Sequence, residues 1–304
     1  MEQIVVKAVI FDKLSGAGND FICVDNRNGH FEWLLSSGEI RQFARILCQR
    51  RFSVGADGII FANRIPNNQN VHFEARFFEP DGSEVHLCGN GVACFVYWVV
   101  LNGWIKDSAV EIATPAGTVS GEHNGGDLVK VCIPLPRDFR FDLEFMVEGK
   151  PCKCDFVITG VPHAVIYVNG TDEIDVIHLG RQIRNHEFFK PQGVNVNFVQ
   201  VLREGEIALR TFEFGVENET LACGTGAASS AILSAMRYKW HKRYLSGEEP
   251  ILVKVRSGDT LRVWFIVDNE GRVADVCLET VVRFIYRGTL HQQVIDGLSS
   301  LNKP

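Results

Sequence analysis

Two short stretches of the chain, Cys88-Gly89-Asn90-Gly91 and Cys223-Gly224-Thr225-Gly226, repeat one design. Each heads an apolar run, Val92 to Leu101 in the first case and Ala227 to Met236 in the second. A helix that is apolar nearly all round must be buried rather than lie on a surface. Each run therefore needs a shell, and the short alternating segments on either side supply one: sheets curled about a central helix, once per half. A thiol at such a helix start faces unpaired backbone N–H groups and the positive end of the helix dipole, which favour the thiolate and bind anions such as a carboxylate. Two such units would make a site with two thiols and a doubly clamped carboxylate, suited to moving a proton from one face of a carbon to the other.

The shell can be read along the chain. A strand is expected over Val5–Phe11, then a glycine turn over Ser15–Asp20 and a second strand over Phe21–Asp25. Helical spacing runs from Ser37 to Arg50, and strands are expected at Ile59–Phe61 and Val71–Phe78. After a boundary near His123–Asp127 the pattern restarts. Strands are expected at Leu128–Ile133, Cys154–Thr159 and Ala164–Val168, a helix over Ile174–His186, and strands at Asn195–Val201 and Ile207–Phe214. The tail Ile251–Leu290 reads as a meander broken at Ser257-Gly258-Asp259 and Asp268-Asn269-Glu270-Gly271. The repeated pattern indicates an internal duplication.

Composition excludes several classes of function. A net charge of −6 gives no reason to expect nucleic acid or an anionic membrane as partner. No apolar run reaches the ~20 residues of a membrane span. Glu2 and Lys7 interrupt the N-terminal apolar residues and Asp12-Lys13 stands where a small-residue cleavage site belongs, so no secretory signal is expected. With an odd count of 9 cysteines, a cytoplasmic chain with reduced, mostly buried thiols is expected. Cys152-x-Cys154 has no second ligand pair at zinc spacing, so no metal is expected. Gly16-Ala17-Gly18 is followed by Phe21 where a dinucleotide fingerprint needs its third glycine.

The segments Lys13-Leu14-Ser15-Gly16-Ala17-Gly18-Asn19-Asp20-Phe21, Asp81-Gly82-Ser83-Glu84-Val85-His86-Leu87-Cys88-Gly89-Asn90-Gly91 and Ala222-Cys223-Gly224-Thr225-Gly226-Ala227 resemble the diaminopimelate epimerase family. Val54-Gly55-Ala56-Asp57-Gly58, Pro162-His163 and Asn195-Val196-Asn197-Phe198 match in the same order. The resemblance implies an α+β fold of two pseudo-symmetric domains, each a barrel-like antiparallel or mixed sheet around a central buried helix. With the boundary above, the domains are 1–122 plus 281–304, carrying Cys88, and 123–280, carrying Cys223, with the active site in the cleft between them. It implies an amino-acid racemase or epimerase needing neither pyridoxal phosphate nor metal, with one cysteine thiolate removing the α-proton and the other thiol delivering one to the opposite face. The cysteine pair falls on Cys88 and Cys223, and the auxiliary His and Glu on His163 and Glu213. The carboxylate clamp falls on Gly89, Asn90, Gly224 and Thr225, and substrate-contacting asparagines on Asn19 and Asn195. A tyrosine associated with homodimer contacts falls on Tyr286.

The departures concern the far end of the substrate. Glu79 and Val161 stand where the family usually has Asn, Phe214 where it has Arg, and Ala93 where the helix usually carries Arg; the loop Gly215–Thr220 is one residue longer. Losing charge-assisted donors, at roughly 1.5–3 kcal/mol each, would weaken a distal carboxylate on the order of 10³-fold. These changes point to a substrate other than diaminopimelate, with a basic or aromatic side chain. A true diaminopimelate epimerase with a rearranged pocket is the alternative. More remote are a thiol redox protein, an isomerase that no longer uses its cysteines, and a binding protein that has lost catalysis.

Overall fold

A computed structural model of the chain describes residues 9–65, 71–291 and 294. The chain forms two compact units, one of residues up to Val129 together with those from Val282 on, the other Lys130–Val281. The strands of the first part are β1 (Ile10–Gly16), β2 (Asn19–Asp25), β3 (Gly58–Asn63), β4 (Phe73–Phe78), β5 (Glu84–Val85), β6 (Ala109–Thr114), β7 (Gly117–His123) and β8 (Leu128–Cys132). The second part adds β9 (Arg137–Val147), β10 (Lys150–Thr159), β11 (Val161–Tyr167), β12 (Asn195–Arg203), β13 (Glu206–Glu213), β14 (Asn218–Thr220), β15 (Ile251–Lys254), β16 (Thr260–Val267) and β17 (Val273–Thr289). The helices are α1 (Glu32–Ser37), α2 (Ile40–Cys48), α3 (Gly89–Leu101), α4 (Val176–Arg184), α5 (Gly224–Arg237) and α6 (Lys242–Leu245).

The two units share one wiring. In the first, β1–β2 is antiparallel, β2–β3 parallel, β3–β4 and β4–β5 antiparallel, β4–β6 parallel and β6–β7 antiparallel. In the second, β10–β11, β11–β12, β12–β13, β13–β14, β13–β15 and β15–β16 repeat those relations in the same order. A parallel pair needs a crossover. Helices α1 and α2 lie between β2 and β3, and α4 between β11 and β12; α3 and α5 lie between the members of the other two parallel pairs. Those last two are the central helices. Helix α3 packs on β1, β2, β3, β4 and β7, and α5 on β10, β11, β12, β13, β15 and β16. Val92, Phe95, Val96, Trp98 and Val99 of α3 are buried, as is α5 from Gly226 through Ala235. The α+β architecture of two duplicated, helix-centred sheets is thus that of the expected fold. Among the described residues no helix is long and apolar enough to cross a membrane.

Several local expectations are corrected. Among the described residues the first strand does not stop at Phe11 but runs through Lys13-Leu14-Ser15-Gly16, because the turn is a tight one at Ala17-Gly18, both with positive φ; Val5–Ala8 lie outside the described residues. The segment Ser37–Arg50 is not one helix: Gly38, at φ 80°, ends α1 before α2 begins. Strand β9 is an addition. Most of its side chains are exposed, so the alternation that marks a half-buried strand is weak. Nor are all the cysteines thiols. Strand β8 pairs with β17, and Cys132 and Cys277 are joined by a disulfide.

Candidate active site

The two cysteine turns fold alike. Cys88 caps α3 at φ −132°, ψ 112°, and Cys223 caps α5 at φ −121°, ψ 112°. In each, the N–H of the glycine three residues on donates to the sulfur, Gly91 to Cys88 Sγ and Gly226 to Cys223 Sγ, both at 3.4 Å. The sulfur thus takes the part usually played by a Ser or Asp oxygen at a helix start. Both glycines are required by space: a Cβ on Gly91 would lie 2.9 Å from the Phe77 ring, and one on Gly226 would lie 2.5 Å from Asn197 Oδ1.

Around Cys223 lies a polar chain. Its sulfur is 3.6 Å from Thr225 Oγ1, and Thr225 Oγ1 is 3.1 Å from His163 Nε2. Asn197 Nδ2 donates to His163 Nδ1 at 3.2 Å, and Thr211 Oγ1 donates to Asn197 Oδ1 at 3.0 Å. With an amide donor on Nδ1, the proton of the imidazole sits on Nε2 and points to Thr225. His163 is fully buried, and burial pushes its pKa down to about 3, so the ring is neutral. Thr220 Oγ1 donates to Glu213 Oε1. Burial, then the charge of Glu213, holds the Cys223 thiol well above its ordinary range, against the opposing pull of Thr225 and the Gly226 N–H. The thiolate expected of a helix N-terminus is therefore not the resting state of this cysteine; it is a protonated acid.

The remaining expected residues of this unit lie close by. Asn195 is buried, and its Oδ1 accepts from Phe214 N–H at 2.8 Å. Phe214 is half-exposed, and the guanidinium of Arg184 lies over its ring, 4.6 Å from the centroid. Val161 is 37% exposed at the β10–β11 turn, paired with Thr159. Gly224 opens α5. Arg210 is not a substitute for the missing guanidinium: it is held by Glu219 and by the carbonyls of Thr171 and Ile174.

In the other unit, Gly89 and Asn90 open α3. Asn19 pairs with Gly16, whose own backbone approaches Asn90 closely enough that a Cβ there would lie 3.2 Å from the Asn90 carbonyl oxygen. The side-chain oxygens of Asn19 and Asn90 are buried with no hydrogen-bond donor among the described residues. A buried acceptor left so is costly unless a ligand supplies the donor. The turn bearing Asn19 is fixed by charge: Lys13 Nζ pairs with Asp20 at 2.8 Å, Arg50 bridges Asp20 and Asp57, and Asp57 N–H donates to the Asp20 carbonyl at 2.8 Å. Burial opposes ionisation of Asp20, but Arg50 and Lys13 outweigh it and hold the carboxyl below its ordinary range. Ala93 is fully buried against the shell. Glu79 is exposed at the end of β4.

Asn197, Thr211 and Thr220 are site residues of this chain that the sequence motifs do not single out for a role. The available signal is Asn195 and Asn197, which fall on one face of the buried, otherwise apolar first half of β12, Asn195–Val199. The other thiols stay in the background: burial pushes Cys48 and Cys154 up to about 12, and Cys23 and Cys94 well above their ordinary range.

Each unit thus carries one helix-capping thiol, and that of the second unit is tied to a buried histidine and a glutamate, groups of the kind that proton-transfer enzymes use. A family model described as diaminopimelate epimerase matches residues 11–132 and 156–276. The chain is 38% identical over 292 residues to the diaminopimelate epimerase of Aquifex aeolicus, covering 94% of this chain and 99% of that one. It is 38% identical over 279 residues to that of Chlorobaculum tepidum, covering 91% and 99%. The chain belongs to the diaminopimelate epimerase family, and is an isomerase. Among solved structures it shares its fold with a Bacillus anthracis phenazine biosynthesis protein of the PhzF family (TM-score 0.68, 16% identity, 94% of this chain and 99% of that one). It also resembles a probable proline racemase of Agrobacterium radiobacter K84 (TM-score 0.69, 14% identity, 93% of each chain).

Proposed function

We propose that the protein inverts the α-carbon of diaminopimelate, using Cys88 and Cys223 as the two proton-transfer groups. The observation that carries this reading is the repeated cap: one sulfur geometry, built twice, on two helices of one duplicated fold. The chemistry needs a base and an acid on opposite faces of one carbon. Cys223 starts as the acid, since its environment keeps the proton on sulfur. Cys88 starts as the base. The N-terminal N–H groups of α3 and α5 bind the α-carboxylate, where they stabilise the charge that develops as the α-proton leaves. Glu213, whose carboxylate bears on the sulfur, accepts or returns the proton of Cys223 on resetting, while the neutral His163 orients Thr225 beside it. These roles need no group beyond the side chains, so the reaction is proposed to run without cofactor or metal. A homodimer through the face bearing the half-exposed Tyr286 accompanies this reading.

Diaminopimelate is favoured by the relatives; the Arg184 guanidinium that stands over Phe214 is held by Glu217 at 2.8 Å, as Arg210 is by Glu219, and adds no free cation there. A second reading, a substrate with a basic or aromatic side chain, is favoured by Val161 and Phe214, two half-exposed apolar side chains at positions where the family usually has hydrogen-bond donors. Solvent-deuterium incorporation at Cα, followed by NMR under reducing conditions, decides between them. Exchange and inversion of diaminopimelate at a kcat/KM of roughly 10⁴ M⁻¹s⁻¹ or more, an ordinary value, supports the first. Inversion confined to lysine, arginine or histidine replaces it with the second. Absence of α-exchange in every amino acid would sink both.

A further inference from the structure

The duplication can be followed residue by residue through strand register. In the second unit His163 pairs with Asn195, Asn197 with Thr211 and Val196 with Phe212. In the first, Phe21 pairs with Gly58, Ile60 with Phe77 and Ile59 with Phe78. Phe21, Ile60 and Phe77 therefore occupy the places of His163, Asn197 and Thr211. The match extends to the surface, where the Arg76–Glu84 ion pair repeats Arg210–Glu219. Counting one residue further, Glu79 occupies the place of Glu213.

Orientation follows the same count. Phe77 lies on the helix side of β4, against Gly91. Thr211 lies on the helix side of β13, bonded to Asn197 beside Gly226. Phe78 and Phe212 are buried on the other side, Phe78 among residues of α1 and α2 and Phe212 against Gly180 of α4. By strand alternation Glu213, the last residue of β13, returns to the helix side, and Glu79, the exposed residue that directly follows β4, stands at the same count. Each then opens a short loop whose backbone folds back onto it: the Glu79 carbonyl accepts from Gly82 N–H at 2.9 Å, and the Glu213 carbonyl from Glu217 N–H at 2.8 Å. Each loop leads through a short strand, β5 or β14, to its cysteine cap. The histidine relay is thus confined to one unit, while the carboxylate is repeated in both.

We propose that Glu79 is a positioning residue for Cys88, the carboxylate partner with which that sulfur shares its proton. This inference rests on the reading of the two cysteines given above. The step is a reversible proton transfer, in which Cys88 Sγ–H and the Glu79 carboxylate exchange with the Cys88 thiolate and the Glu79 carboxylic acid. It lets Cys88 be recharged between turnovers where no histidine and threonine hold the places they take beside the sulfur at Cys223. Other charged groups of this neighbourhood are Lys13, Asp20, Asp57 and Arg50, which are paired with one another, Asp81 on the loop itself, and Arg41 and Arg45 of α2 packed against that loop; its other thiols are Cys23, Cys48 and Cys94.

Site-resolved alkylation of Cys88 with iodoacetamide, followed by mass spectrometry across pH, tests this without substrate. Glu79→Gln leaves every group just named in place. Removing the nearby negative charge should move the Cys88 alkylation profile to lower pH by about one unit, or roughly tenfold in rate at neutral pH. It should also lower kcat by about tenfold or more with little change in KM. Glu79→Asp, which keeps the charge, should restore most of both, and Glu213→Gln should produce the same shift at Cys223. A Cys88 profile unmoved by Glu79→Gln, in protein of unchanged melting temperature, overturns the inference whatever happens to turnover. Loss of the proposed function is read separately, as absence of α-proton exchange by the wild type, and leaves the alkylation result standing.

Discussion

His163 shows how one buried side chain couples the site to the stability of its unit. Its ring is neutral because burial moves its pKa from 6.5 to about 3. The unfolded chain binds a proton at this residue below about pH 6.5, and the folded chain does not until about pH 3. The stability of the neutral, packed ring is therefore present in full above pH 6.5 and is lost as pH falls from 6.5 towards 3, by up to about 1.4 kcal/mol per pH unit. His163→Gln removes this titration, so urea midpoints measured at pH 7 and pH 4.5 should lie closer together in the variant than in the wild type. Equal spacing would mean that the ring is not buried uncharged. Cys223 supplies the complementary test. Since burial and Glu213 keep it a thiol, its alkylation at pH 7 should be slow, and Asn197→Ala, which frees His163 and Thr225 from their fixed orientation, should lower kcat by about tenfold or more while a bound substrate analogue keeps its affinity. A matching rise in KM with kcat unchanged would assign Asn197 to binding instead.

At the scale of the element, the caps are where sequence and structure agree most closely, because a Cys-Gly-x-Gly turn before an apolar run leaves few alternatives. A helix with no polar stripe must be central, and the shell around it can be read from alternation. Strand β9 escaped for the converse reason: it buries little. The boundaries of β1 escaped because a two-residue turn at Ala17-Gly18 needs less chain than the glycine-rich stretch around it suggests. The relay escaped because Asn197 and Thr211 act through partners 34 and 14 residues away, and no local pattern encodes that distance. The cap glycines separate the roles of glycine in a way that can be measured. Gly226→Ala would drive a methyl to within 2.5 Å of Asn197 Oδ1, and Gly91→Ala to within 2.9 Å of Phe77. Both should lower stability by about 1–3 kcal/mol. At Gly89 a Cβ meets nothing within 4 Å, so Gly89→Ala should be neutral or stabilising by up to about 1 kcal/mol through helix propensity. Equal melting temperatures for Gly89→Ala and Gly226→Ala would remove the packing explanation.

The whole molecule carries one covalent link that the amino-acid pattern did not reveal. An odd number of cysteines argues for thiols throughout, yet strand pairing sets Cys132 on β8 opposite Cys277 on β17 with their Cα atoms 4.1 Å apart. The bond spans 145 residues and closes nearly all of the unit bearing Cys223. A loop of that length loses much conformational freedom in the unfolded state when it is closed, and the link should contribute about 2–4 kcal/mol. Neither sulfur belongs to the relay around Cys223 or to the Cys88 cap, so stability should depend on the bond and turnover should not. The double variant Cys132→Ser, Cys277→Ser should therefore unfold at lower urea concentration while its kcat stays within about twofold of the wild type. Thiol counting provides the direct check. Alkylation in denaturant without reductant, on protein kept free of reductant during purification, should modify the 7 thiols at Cys23, Cys48, Cys88, Cys94, Cys152, Cys154 and Cys223, and reduction should expose the remaining pair. Full alkylation of all 9 cysteines before reduction would show that the two strands hold a dithiol, and the double variant should then match the wild type in urea.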